Sequence, residues 1–312
     1  WFPDRKGLVT GVAMAGFGTG SVLWSQVFHL LLHDTLGISG TFVLYGVLFA
    51  GLILLTMRFL VDPPAGYAEA LASRSGRRTD ARPGPQTARP IAAPGDGFLR
   101  SEIVTQRQFY FLFFTFVVGS AIGLMVIGMS KSYPVERLVA AGWPAATARR
   151  ATNLAALVLF PVFNGSGRIV FGWLSDRLGW KPVLVASCVL QSVLLAFLPT
   201  LMSVPATVYV SLVLLAMCYG GNFTVFPVAT GQIWGYAHLA ANYSLVFVAF
   251  GVGAVVGPPL SGMARDAGII DIAFRIASGL LAVGALLVGI LRAPVRSGLA
   301  CQAGRGGAYS GP

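Results

Sequence analysis

Charge is scarce in this sequence. Only 11% of its 312 residues are Asp, Glu, Lys or Arg, and 55% are hydrophobic. Soluble domains carry about 25% charged residues, so a water-soluble fold of this length is excluded and a membrane class is indicated. Acid is scarcer than base. Eleven Asp and Glu stand against 22 Lys and Arg, for a net charge of +11. Such an excess suits nucleic acid when it gathers on one face; here it sits at segment ends and in one loop, which argues against that partner. The three cysteines, Cys188, Cys218 and Cys301, lack metal-ligand spacing. The first two lie in apolar segments and read as small packing residues. H-E-x-x-H, the nucleophile elbow and G-x-x-x-x-G-K-[ST] are all missing, so neither an enzyme nor a motor-type ATPase is indicated and no cofactor is implied. No signal-peptide pattern is visible. The chain opens on Trp1-Phe2-Pro3-Asp4 without an initiator Met, and the expectation is a piece of a longer protein.

Long apolar runs are abundant. A bilayer core needs about 20 apolar residues per helix, and eight segments qualify: 8–32, 41–61, 109–130, 151–174, 183–202, 206–234, 243–263 and 272–292. The fold class is therefore all-α and polytopic. Alternation puts fifteen Lys and Arg on the side holding the 62–108 loop and the tail, and six on the other, with Arg168 inside a span. That bias makes the first side cytoplasmic, in a cell inner or plasma membrane. The 62–108 loop is rich in Arg, Pro and Gly. It reads as a cytoplasmic linker, either a solvated tether or a polybasic lipid contact. Residues 296–312 read as a disordered cytoplasmic tail. Gln26, His29 and His33 share helical spacing near the end of the first span, where interfacial packing is the simpler reading for the two histidines.

Two spans six apart carry GxxxG spacings that let helices approach closely: Gly16/Gly20 and Gly253/Gly257. That offset suits two six-helix halves. Residues 1–61 would be the last two helices of the first half and 109–295 the whole second half. Eight of twelve helices are then present, and the partners are the bilayer and four missing N-terminal helices of the same protein.

The stretch Asn164–Pro182 is the most informative. A cation within a span costs roughly 2.5–3.5 kcal/mol on insertion scales and usually marks a substrate or ion path. Arg168 is such a cation. Its alternative is a snorkelling residue, since it lies about 6–8 residues from the expected helix end. Asn164, one turn away on the same face, either supplies an amide donor or glues helices together. All eleven acids stand in loops or at helix ends, so a proton-coupling carboxylate is not expected in these spans.

Several blocks resemble the major facilitator superfamily. The turn Gly172-Trp173-Leu174-Ser175-Asp176-Arg177-Leu178-Gly179-Trp180-Lys181 is similar to its G-x-x-x-D-R-x-G-[RK]-[RK] signature, with Trp180 where a base is common. WFPDRKGLVTGVAMAGFGTGS, FNGSGRIVFGWLSDRLG, CYGGNFTVFP and NYSLVFVAFGVGAVVGP resemble the oxalate/formate antiporter family and its monocarboxylate-carrier relatives. The resemblance implies a secondary carrier of small organic anions working by alternating access. It assigns Gly172, Asp176, Arg177, Gly179 and Lys181 to the conformational turn, and Arg168 to one substrate carboxylate. A lysine expected for a second carboxylate is replaced by Phe250, which puts oxalate in doubt and favours a monocarboxylate or a bulkier, more apolar anion. Tyr219, Asn222, Phe223, Phe247 and Phe250 fall where that family lines its cavity; helix packing is the alternative for each. Asp176 is expected to fix the turn against the N-terminus of the first helix. A non-transporting membrane sensor of the same fold stays open as a second reading.

Overall fold

The computed structural model describes residues 6–27, 37–61 and 97–292, with Pro64 and Tyr67. All regular structure among the described residues is helical. The helices are α1 (Lys6–Val27), α2 (Gly37–Thr56), α3 (Arg107–Met129), α4 (Ser132–Ala140), α5 (Ala145–Leu178), α6 (Trp180–Ala196), α7 (Pro205–Trp234), α8 (Leu239–Asp266) and α9 (Ile270–Ile290). Six of them, α2, α3, α5, α7, α8 and α9, are long and apolar enough to cross a membrane; Gly7–Gly16 of α1 and Trp180–Ala196 are shorter apolar stretches. The eight expected spans thus fall on six full-length candidates and two shorter ones. The 183–202 segment is shorter than expected because α6 stops at Ala196 and a separate turn, Leu198–Leu201, carries Pro199 near its start. His29, His33, most of the 62–108 loop and the 296–312 tail lie outside the described residues.

Helix α7 is the hub. It packs on α1, α3, α5, α6 and α8, and 83% of its apolar window is buried, against 6% for α2. Helix α5 packs along both α1 and α7, α8 along α3, and α9 along α6 and α3. Within α5, Leu154–Leu159 forms a π-helical turn just ahead of Pro161. Proline has no N–H to give and crowds the carbonyl four residues back, so widening the turn is a local solution. The turn sets the phase of Asn164 and Arg168 beyond it.

One expected close approach moves. A Cβ added to Gly16 would meet nothing within 4 Å among the described residues, whereas one added to Gly11 would lie 2.3 Å from the Arg168 carbonyl oxygen. The α1 contact is therefore made one turn and more before the predicted motif, because that is the face turned toward α5. Gly257 does pack as expected, with a Cβ there falling 2.3 Å from the Ala121 carbonyl oxygen of α3. The 131–150 region, read as a connection, folds into α4 and the start of α5. Helix α4 is amphipathic, burying Tyr133, Pro134 and Leu138.

Candidate functional site

Arg168 is 2% exposed. It stands ten residues before the end of α5, about 15 Å along the axis at 1.5 Å per residue. Its Nη1 donates to the Met14 carbonyl oxygen at 2.8 Å and its Nη2 to Asn164 Oδ1 at 3.3 Å. Helical side chains lean toward the N-terminus, so reaching Asn164 carries the guanidinium away from the Asp176 end of α5. A snorkelling side chain would run the opposite way. Glycines make this geometry possible. A Cβ on Gly220 would fall 1.9 Å from the Asn164 carbonyl oxygen, and with Gly11 this lets α1, α5 and α7 close around the guanidinium.

The guanidinium sits over the Phe223 ring, 4.7 Å from its centroid, where the ring's negative face attracts a cation. Phe223 meets Tyr219 edge-on at 5.3 Å and Phe250 at 5.3 Å, and Phe247 stacks on Phe250 at 5.4 Å. Phe247 and Phe250 then border a groove of about 660 Å³ along α8, continued by Gly251, Val252 and Val255. The site therefore joins one cation to an aromatic wall and an apolar groove.

The structure gathers Arg168, Asn164, Tyr219, Phe223, Phe247 and Phe250, and directs Asn222 elsewhere. Asn222 is 3% exposed, and its Oδ1 accepts from the Ser187 hydroxyl of α6 at 3.4 Å. Gln191 Nε2 donates to the same hydroxyl at 3.1 Å. This is polar bonding between helices. Two residues were missed. Phe116 of α3 stacks on Phe226 at 4.0 Å and reaches Phe223 at 6.3 Å. Tyr243 packs on Phe247 at 5.6 Å. Its spacing of four and seven residues before Phe247 and Phe250 is the helical signal that would have found it.

The turn motif has a different job. Asp176 accepts backbone N–H bonds from Gly7 and Leu8, both 2.8 Å, at the start of α1, where a carboxylate suits the positive helix end. Gly7 and Gly172 allow this, since a Cβ on either would lie within 2.4 Å of the other's carbonyl oxygen. Arg177 lies over Trp173 at 4.2 Å. Gly179 takes φ +88° to end α5, a conformation glycine adopts without steric cost. Lys181 Nζ donates to the Leu291 carbonyl oxygen at 2.9 Å, just past α9. The motif thus staples α1, α5 and α9 at one end of the molecule. At the other end Tyr133 donates to Asp271 at 2.6 Å. Burial and that carboxylate push its hydroxyl well above the ordinary tyrosine range.

Comparison with known proteins agrees with this architecture. A family model described as Major Facilitator Superfamily matches residues 139–307. The chain is 27% identical over 255 residues to the uncharacterized MFS-type transporter YhjX of Escherichia coli (strain K12), covering 82% of this chain and 56% of that protein. It is 24% identical over 258 residues to the oxalate:formate antiporter of Oxalobacter formigenes, covering 82% and 55%. It is 27% identical over 313 residues to human monocarboxylate transporter 11, covering 94% and 58%. The chain spans a little over half the length of these relatives. With more than half of its residues matched by the family model, the chain belongs to the major facilitator superfamily.

Proposed function

We propose that this chain is the larger part of a carrier that exchanges small organic anions across a membrane by alternating access. Arg168 carries the reading. A guanidinium is planar, always charged and able to grip a carboxylate with two parallel bonds. It donates to the neutral oxygens of Met14 and Asn164. An incoming carboxylate would bring an opposite charge to that guanidinium. A buried charge is costly unless it is well paired, so a bound carboxylate favours the crossing between the two facings, and exchange follows. The oxalate:formate antiporter and the monocarboxylate transporter among the relatives support this substrate class.

The aromatic wall narrows the choice. Phe250 stands where a second cation would serve a second carboxylate, and the groove beyond it is apolar. The preferred substrate is a monocarboxylate whose body lies against Phe223, Phe247 and Phe250. The helices divide as 1–61 and 109–295, two parts of opposite halves joined by a cytoplasmic 62–108 linker, with four further helices upstream. The membrane is the plasma or inner membrane. A cysteine placed at Ser75 should resist membrane-impermeant thiol reagents in intact cells; ready labelling would reverse the orientation.

Counterflow tests the whole reading. Vesicles holding the full-length protein and loaded with an unlabelled monocarboxylate should accumulate the labelled form from outside. A sensor of the same fold would bind without flux, and saturable binding with no counterflow would establish that alternative.

A further inference from the structure

We propose that the Tyr243 hydroxyl is a second, neutral donor to the carboxylate held by Arg168, so that the anion is gripped between α5 and α8. This inference rests on the anion-carrier reading above.

Three observations carry it. The Tyr243 hydroxyl oxygen is buried and has no hydrogen-bond partner among the described residues. Buried polar groups are nearly always paired, and an exception at a functional site points to a partner that comes and goes. The ring belongs to the same wall as Arg168: Tyr243 packs on Phe247 at 5.6 Å, Phe247 lies 6.5 Å from Phe223, and Phe223 carries the guanidinium at 4.7 Å. The phenol also lies within electrostatic reach of Arg168. Tyr219 lies within that reach as well, but its ring fills the space over Gly123, where a Cβ would fall 1.9 Å from ring carbon Cδ2. Tyr219 is therefore held as wall.

The chemistry fits a carboxylate. An ionised carboxylate offers about four lone-pair sites. A guanidinium fork takes two of them, one on each oxygen. A phenol donates one hydrogen bond and brings no charge. A site with one cation and one neutral donor matches a single negative charge. The groove beyond Phe250 is lined mainly by aromatic and aliphatic residues. Phe250 stands where the family resemblance implies a second cation, and the remaining lone pairs of one carboxylate are served from α8 by the Tyr243 hydroxyl.

The test uses Tyr243→Phe, which removes one oxygen, in the full-length purified protein with formate and benzoate as probes. Calorimetric binding should weaken about 10-fold for both probes, the loss expected of a hydrogen bond to a charged group. The melting temperature of the anion-free protein should stay unchanged or rise, because no existing bond is lost. Wild-type affinity in Tyr243→Phe would overturn the proposal, and so would a lowered melting temperature without anion, which marks a structural bond. Loss of binding in Arg168→Gln beside intact binding in Tyr243→Phe removes this inference and leaves the carrier reading. Failure of the unaltered protein to bind either probe contradicts both.

Discussion

Arg168 and Asp176 stand eight residues apart on one helix and are treated in opposite ways. Asp176 is exposed, and each of its carboxylate oxygens accepts a backbone N–H at 2.8 Å. The chain itself answers that charge, at a helix end of matching sign. Arg168 is buried, donates to the uncharged oxygens of Met14 and Asn164, and lies with its face against an aromatic ring. A charge whose complement is built into the fold holds helices together. On the proposed reading, the charge of Arg168 serves an anion that arrives. On that reading, the pair separates scaffold from site within two and a half helical turns.

That contrast can be pushed from either side. A change of preference is expected from Phe250→Lys, which adds a cation to the wall two ring contacts from Arg168. Preference should move from monocarboxylates toward a dicarboxylate such as oxalate by about 10-fold, the worth of one charge-assisted bond. Competition binding with formate and oxalate measures it. Equal loss of both would make Phe250 packing rather than wall. A smaller effect is expected at the other charge. Asp176→Ala should cost about 1 kcal/mol of stability, the scale of an exposed helix-end interaction, seen as a lowered melting temperature. Anion affinity of the folded protein should not change. A selective loss of affinity there would dissolve the distinction between scaffold and site.

Much of this was legible beforehand, and the rest failed for physical reasons. Scarce charge and long apolar runs revealed the membrane class, since hydropathy integrates over twenty residues. Arg168 stood out because a lone cation in an apolar run is rare. The role of Asp176 followed from its place at a turn. Facing was harder. In α7 nearly every side is buried, so apolar periodicity does not tell the face toward α6 from the face toward Arg168. Asn222 was placed at the cavity by the family resemblance, with helix packing as the alternative, and its Oδ1 accepts from Ser187. Tyr243 was passed over although it shares the helical spacing of Phe247 and Phe250; that its hydroxyl lacks a partner among the described residues shows only in the structure. Gly16 was picked out by motif spacing, whereas Gly11 meets α5, because which glycine meets a neighbour depends on helix rotation.

The decisive measurement is the affinity of the full-length protein for formate and benzoate in Arg168→Gln and Arg168→Lys, read beside melting temperature. With Arg168 as the carboxylate anchor, the Gln variant should bind 10- to 100-fold more weakly, the range for losing a charge-assisted hydrogen bond of about 1.5–3 kcal/mol. The Lys variant should recover only part of that, because a point charge lacks the planar fork. Both should melt near the unaltered protein. Unchanged affinity in Arg168→Gln would contradict this and make Arg168 a structural tie between α1 and α5.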